Sequence, residues 1–194
     1  MRRLLTILSV CMLLAACSGV PLRSIPKLLQ LNSQLLEANP AEFMVALQVD
    51  ARMVPPPGAV PLLIIKVTPS DPAAFAAVDK KLPLHVAVAN AATMGLDVPP
   101  VGRRWLVYSM PASTQAELQA IQATIRKAKA DPTRKSGGTL GMGVEQDSLA
   151  NAVTDPALVN SRWETWLQTN KTDGFFEVWS GTTAQLQAQG NTKK

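Results

Sequence analysis

The sequence contains few of the side chains that carry covalent chemistry or bind metals. Among 194 residues there are two cysteines and one histidine. One histidine without cysteine cannot make the usual zinc sites, and no G-x-S-x-G or other nucleophile motif accompanies it. We therefore predict no catalytic residues, no metal site and no cofactor. His85 alternates with apolar residues of a predicted strand, and we interpret it as structural.

Apolar runs long enough to cross a bilayer are also missing from the N-terminus. Arg2 and Arg3 precede an apolar run from Leu4 to Leu14, which only Thr6 and Ser9 interrupt. A run of about 11 residues is too short for a membrane span, but it suits the apolar centre of a secretory signal.

The run ends in Leu14-Ala15-Ala16-Cys17, which resembles the lipobox of bacterial lipoproteins. The resemblance implies a signal peptide over residues 1–16, cleavage before Cys17 and attachment of diacylglycerol to its thiol. In that family an aspartate after the cysteine commonly signals retention at the inner membrane. Ser18 stands there, so the resemblance implies the outer membrane, with the domain facing the periplasm. A plain signal peptide or a buried N-terminal helix is the alternative interpretation.

Little excess charge and no free thiol remain once the signal is removed. The formal net charge of +5 for the whole chain falls to about +3 without Arg2 and Arg3, which argues against nucleic acid as a partner. Cys11 leaves with the signal and Cys17 carries lipid, so no disulfide forms. The exported domain must be stabilised by its own core.

The mature chain is predicted to be one α+β domain, with an antiparallel sheet of about six strands and helices packed mainly on one face. Residues 17–40 form the lipidated N-terminus, a short tether and an amphipathic helix capped by Ser24. We expect its leucine face to pack on the domain, with packing on lipid as the alternative. Residues 41–182 form the globular domain, and the polar tail 183–194 is expected to fray.

Alternating or apolar runs predict six strands. Residues 42–51 alternate as in a half-buried strand, residues 59–69 are apolar on both faces and are expected to lie centrally, and residues 82–90 are expected to turn Leu84, Val86 and Val88 inward. The remaining predicted strands are residues 103–110, 139–145 and 174–181.

Two further helices are predicted from capping patterns and apolar spacing. The first, over residues 113–130, has a capping-box pattern at Thr114 and Glu117. Its expected buried stripe is Leu118, Ile121, Ile125 and Ala128. The second runs from about Pro156 to Gln168, is capped by Asp155, and places Trp163 and Trp166 on one buried face.

A shallow aromatic groove is a candidate site where the strand at 139–145 meets the last strand. Alternation places Phe175, Glu177 and Trp179 on one face of the last strand. If the two strands pair, the aromatic rings lie across bare glycine backbone, with glutamates at the edge. Packing of the rings alone is the preferred interpretation, and a groove for a ligand or partner is the alternative. The candidate groove residues are Gly141, Gly143, Glu145, Phe175, Glu177 and Trp179.

Two clusters of charge are further candidates. The basic one attracts acidic phospholipid or another polyanion, or else stabilises the helix end. It comprises Arg126, Lys127, Lys129, Arg134 and Lys135. In the acidic one, two facing carboxylates would suit hydrolysis of a glycosidic bond, although a solvated surface is the preferred interpretation. It comprises Glu145, Asp147, Glu164, Asp173 and Glu177.

A lipid anchor combined with the absence of a catalytic constellation predicts a non-enzymatic binding or assembly module of the cell envelope. Its expected partners are the membrane, through the lipid, and an envelope protein. A carrier or sensor of an apolar or lipidic ligand is the first alternative and requires a substantial apolar cavity. A cell-wall glycoside hydrolase is the second and requires a cleft with two facing carboxylates.

Overall fold

The fold is described from a computed structural model, which covers residues 19–89, 95–133 and 137–191. The predicted signal peptide, Cys17 and two members of the basic cluster, Arg134 and Lys135, lie outside the described residues.

Eight strands and five α-helices occur within these ranges. The strands are β1 (Met44–Asp50), β2 (Leu62–Pro69), β3 (Val78–Pro83), β4 (His85–Val88), β5 (Arg103–Ser109), β6 (Gly138–Glu145), β7 (Arg162–Gln168) and β8 (Phe176–Thr182). The helices are α1 (Ile25–Glu37), α2 (Ala112–Ala130), α3 (Asp147–Ala150), α4 (Pro156–Val159) and α5 (Thr183–Asn191), and short 3-10 turns lie at Leu22–Ser24 and Pro40–Glu42. All six predicted strands are present, and β3 and β7 are additional.

The strands form two antiparallel sheets. The larger has the order β4-β5-β1-β7-β8 and the smaller has the order β3-β2-β6. The predicted α+β class is confirmed, but the strands divide between two sheets instead of forming one sheet of about six. Apolar side chains from one face of each sheet meet in a common core. Helices α1 and α5 border the space between the sheets.

Strand β1 lies at the centre of the larger sheet and is buried on both faces. Val45, Leu47 and Val49 point into the common core, while Ala46 on the outer face is also fully buried. The prediction of a half-buried strand is therefore wrong. The outer face is covered by Trp105 and Trp166, whose rings meet edge to face with centroids 5.9 Å apart. Both flank β1, and the small side chain of Ala46 leaves room for the two indoles.

The predicted helix from Pro156 to Gln168 is wrong beyond its first turn. Asp155 does cap α4, since its Oδ1 accepts from the Ala157 N–H at 2.8 Å. The helix ends at Val159, and β7 then pairs with β1 on one side and β8 on the other. Pairing on both edges satisfies the backbone hydrogen-bonding groups of this segment. Its aromatic and β-branched side chains also suit a strand. Together these effects outweigh the three-residue spacing of the tryptophans, which is typical of a helix. Trp163 and Trp166 consequently point to opposite faces, and Trp163 is fully buried.

The end of the described chain is an ordered helix, so the expectation of a frayed tail from residue 183 is wrong. Thr183 at the start of α5 is fully buried, and its hydroxyl donates to the Leu158 carbonyl at 3.2 Å. Gln187 Nε2 donates to the Ala150 carbonyl at 2.8 Å. These contacts join α5 to α3 and α4, and they explain why a polar sequence forms a docked helix.

Helix α2 is confirmed. Leu118, Ile121 and Ile125 of its predicted stripe are buried, whereas Ala128 is only partly buried. Its predicted capping box is wrong. The helix begins at Ala112, two residues before Thr114, and the buried Thr114 hydroxyl instead donates to the Pro83 carbonyl at 2.7 Å. Glu117 forms an ion pair with Lys80 of β3 at 3.6 Å. Both side chains therefore attach α2 to β3 instead of capping the helix.

Among the described residues, strand β4 is an edge strand of the larger sheet and pairs only with β5. Leu84, just before it, is buried as predicted, but Val88 is 55% exposed. The inward direction predicted for Val88 is wrong because the strand ends here, beyond the cover of the core.

Candidate functional site

A cleft with a volume of about 260 Å³ lies between the two sheets. The larger sheet contributes side chains from β1, β7 and β8, the smaller contributes β2 and β6, and helices α1 and α5 complete the wall. The lining residues are Leu28, Leu31, Phe43, Val45, Leu63, Met142, Gly143, Val144, Gln146, Thr165, Leu167, Val178, Trp179 and Leu186. Nearly every side chain in this wall is apolar, so the cleft favours apolar contents.

Helix α1 closes one side of the cleft through the leucine face that its sequence spacing predicts. Leu28 and Leu31 line the cleft, and Leu35, one turn further along the same face, is buried in the core. The predicted packing of this face on the domain is confirmed. Leu29, by contrast, is 78% exposed.

A β-bulge in β8 turns Trp179 into the cleft. Trp166 is paired with Glu177 and the adjacent Thr165 with Trp179, so Val178 is an extra residue on the β8 side. An extra residue reverses the alternation of side chains beyond it. Trp179 therefore faces the same side as Thr165, and Glu177 faces the opposite side. The prediction that Glu177 and Trp179 share a face is wrong for this reason.

The predicted aromatic groove is not formed as a unit, because its two strands belong to different sheets. β6 pairs with β2, whereas β8 pairs with β7. The structure nevertheless brings Gly143 and Trp179 together as two parts of the cleft wall. The expected stacking of aromatic rings over glycine through strand pairing is wrong.

The other candidate groove residues lie in separate places. Gly141 is beside Lys66, whose Cβ is 3.8 Å from where a Cβ on the glycine would stand. Phe175 packs beside Gly95. Glu145 pairs with Lys81 at 2.8 Å, and this hydrogen bond raises the pKa of the Lys81 ammonium. Glu177 pairs with Arg23 at 2.6 Å.

One end of the cleft is polar. The hydroxyl of the buried Tyr108 donates to Gln146 Oε1 at 3.2 Å, and Gln146 Nε2 donates to Thr165 Oγ1 at 3.4 Å. Burial raises the pKa of Tyr108 far above its ordinary value, so its phenol stays neutral and continues to act as the donor. Gln146 and Thr165 both line the cleft. The amide and the hydroxyl give an otherwise apolar space one polar end.

The carboxylates considered for glycoside hydrolysis are spread over the fold. Glu145 lies in the smaller sheet and Glu164 and Glu177 in the larger one, and all three are in ion pairs. Asp147 begins α3, and Asp173 lies in the loop between β7 and β8. Besides the pairs of Glu145 and Glu177, Glu164 accepts from Arg162 Nε at 3.0 Å. Asp173 accepts from the Asn170 side-chain amide at 2.7 Å. His85 is exposed on β4. Within the described ranges, no group of three or more histidine, cysteine or acidic side chains is placed to hold a metal ion.

Three residues of the basic cluster are exposed in the last two turns of α2. They are Arg126, Lys127 and Lys129. Their position suits both interpretations made from the sequence, attraction of a polyanion and stabilisation of the helix end.

Among the residues that the structure describes, no helix combines the length and the apolar character needed to cross a membrane. No protein-family model matches the chain, and comparison with curated proteins and with solved structures finds no match. The chain is an α+β domain with an apolar cleft between two sheets.

Proposed function

We propose that this chain is a lipid-anchored, non-enzymatic binding module of the bacterial cell envelope, held at the periplasmic face of the outer membrane. The lipobox resemblance at Leu14–Cys17 supports the anchor and the location. The cleft between the sheets supports the binding role, and it favours the carrier or sensor of an apolar ligand among the functions considered from the sequence.

The ligand class follows from the wall of the cleft. An engineered apolar cavity of about 150 Å³ is large enough to bind benzene and stays dry when empty, and the cleft here is larger, about 260 Å³. Each methylene moved from water into such a space contributes about 0.8 kcal/mol. The polar end at Gln146 and Thr165 suits one hydrogen-bonding group. We therefore infer an apolar chain or ring system that carries a single polar group, such as a fatty acyl chain.

The test is binding of the fluorescent fatty acid cis-parinaric acid to the mature chain with Cys17 replaced by serine. That chain keeps every residue of the common core, which begins within α1 and ends within α5. Val144→Phe fills the cleft from β6 and is expected to weaken binding by roughly tenfold or more. The matched control is Val78→Phe on β3, a partly buried valine of the same sheet outside the cleft.

Three results bear on this proposal. Selective loss in Val144→Phe, with both variants folded by circular dichroism, supports it. Equal binding by both variants, or no binding by the parent chain, contradicts it. Turnover of a periplasmic substrate that disappears on replacing His85 or Glu177 would contradict the non-enzymatic role.

A second candidate function, assembly with an envelope protein, is favoured by the open edge of β4. Val88 at the end of β4 is 55% exposed, and a hollow of about 440 Å³ runs along the strand past Pro55 and Val60. Open edges of this kind accept an extended segment of a partner. A photo-crosslinking residue at Val88 should then capture a protein in the native envelope, while one at the exposed Gln119 of α2 should not.

A further inference from the structure

The N-terminal segment of the described chain carries apolar side chains that the domain does not cover. Val20, Leu22, Ile25 and Leu29 are 36%, 81%, 41% and 78% exposed. The last three follow one another at spacings of three and four residues, so they form a stripe along the 3-10 turn and the start of α1. We call these four residues the outer stripe. It is distinct from the face of Leu28 and Leu31 that lines the cleft.

The backbone and polar side chains of the segment that carries the outer stripe contact the domain. The Gly19 carbonyl accepts from the Ser180 N–H at 2.6 Å, and Arg23 Nη2 lies 2.6 Å from Glu177 Oε2. Lys27 Nζ lies 5.1 Å from the centroid of the Phe176 ring. All three contacts are to β8, so the first described residues follow the surface of the larger sheet and do not form a free tether.

The position of the outer stripe along the chain identifies what covers it. Gly19 is two residues from Cys17 in the sequence, and an extended chain spans at most about 3.6 Å per residue, so a lipid attached at Cys17 would be joined to the start of the stripe by a very short stretch of chain. A segment that is both fixed to the domain and adjacent to the anchor must lie at the membrane surface. Contiguous exposed apolar side chains are favourable there and unfavourable in water.

We propose that the outer stripe inserts into the interfacial layer of the bilayer beside the lipid of Cys17, so that α1 lies between the membrane and the cleft. This inference rests on the lipid attachment in the proposed function. Arg23 is already paired with Glu177, so the contact is mainly apolar. Binding is expected with zwitterionic as well as anionic phospholipid and should depend only weakly on salt.

The first experiment uses the lipidated protein in phosphatidylethanolamine–phosphatidylglycerol proteoliposomes. Because Cys11 is removed with the signal and Cys17 is alkylated, Leu29→Cys supplies the only thiol for an environment-sensitive fluorophore. The label at position 29 is expected to shift to the blue and to be quenched by spin-labelled lipid. The same label at Gln119→Cys, on the exposed side of α2, should report water. Equal, water-like spectra at both positions would overturn the proposal.

The second experiment separates the outer stripe from the anchor. The mature Cys17→Ser chain is expected to bind phosphatidylcholine vesicles. The triple change Leu22→Ser, Ile25→Ser and Leu29→Ser should lower the partition coefficient by roughly tenfold or more. The matched control is serine at the exposed Val54, Val98 and Val101, which should bind as the parent does. An equal loss in both triple variants, or no binding by the parent, contradicts the membrane contact.

Mass spectrometry distinguishes the two proposals. A native protein with Cys17 unmodified contradicts the anchor itself. A lipidated protein whose position 29 stays in water contradicts only the contact made by the outer stripe.

Discussion

At the scale of single residues, the two indoles on the outer face of the larger sheet differ in their hydrogen bonding. Trp105 Nε1 donates to the Asp97 carbonyl at 2.9 Å. Trp166 Nε1 is buried and has no partner among the described residues. A buried donor without a partner lowers the free energy of unfolding by about 1–3 kcal/mol. Replacing a donor that has a partner instead removes a stabilising hydrogen bond.

We therefore expect Trp166→Phe to be less destabilising than Trp105→Phe by about 1–2 kcal/mol, since both changes remove a similar amount of ring. The free energy of unfolding in urea measures the difference, and each variant is the control for the other. Equal losses would show that the Trp166 N–H has a partner in solution.

Asp50, at the end of β1, provides a test in acid. Its carboxylate accepts from Arg52 Nε at 3.0 Å and from the Arg52 backbone N–H at 2.9 Å. These hydrogen bonds, the side-chain one foremost, lower the pKa of Asp50 from 3.8 to about 2. Because the folded-state pKa is depressed, the stabilisation is present above pH 3.8 and is lost as the pH falls towards 2.

Arg52→Ala should move the pKa of Asp50 back towards 3.8. Titration of the Asp50 carboxyl carbon by NMR measures this shift. The parent chain, titrated under the same conditions, is the reference. An unchanged Asp50 midpoint in the variant would contradict the assigned cause.

At the scale of elements, Gln122 of α2 joins two helices. It is buried, and its Nε2 donates to the Leu35 and Ala38 carbonyls at the end of α1, at 2.8 and 2.9 Å. Carbonyls in the last turn of a helix have no partner within the helix. The Gln122 side chain therefore caps the C-terminal end of α1 and attaches α1 to α2.

Gln122→Ala is expected to lower the free energy of unfolding by about 1–3 kcal/mol, because it leaves those carbonyls without their donor. Amide hydrogen exchange along α1 should rise with it. Gln119→Ala, the same change on the exposed side of α2, is expected to alter stability by less than about 0.5 kcal/mol. Equal effects of the two changes would show that the bonds to α1 do not matter.

Helix α2, strand β7 and the bulge in β8 differ in how well the local sequence predicts them, and the reasons are physical. The stripe Leu118, Ile121 and Ile125 has helical period, so α2 follows from local pattern. The spacing of Trp163 and Trp166 is also compatible with a helix. This segment forms a strand because it pairs with β1 and β8. The bulge that turns Trp179 into the cleft depends on the register of β7 and β8, which a single strand does not encode.

At the scale of the whole molecule, strand alternation predicts which side of each strand is buried but not which strands share a sheet. Leu140, Met142 and Val144 alternate on β6, as Phe176 and Val178 do on β8. From this pattern the two strands are equally compatible with pairing and with facing each other across a core. The structure has them facing, and the cleft exists because they do.

Ligand binding and folding are linked through this cleft. A ligand that binds only the folded state stabilises it, by about 2.7 kcal/mol at ~100 times Kd. For a domain of this size that corresponds to a rise in Tm of about 5–10 °C. We expect cis-parinaric acid to produce this rise in the mature Cys17→Ser chain and in Val78→Phe.

Val144→Phe should abolish the rise in Tm that the fatty acid produces. The added ring occupies the cleft, so the ligand-free Tm is expected to stay within a few degrees of the parent, while the increment produced by cis-parinaric acid disappears. Differential scanning calorimetry with and without the fatty acid measures both quantities. A rise in Tm that persists in Val144→Phe would contradict binding in the cleft. A ligand stabilises the fold only through the site that it occupies, so the fatty acid would then be bound elsewhere on the molecule.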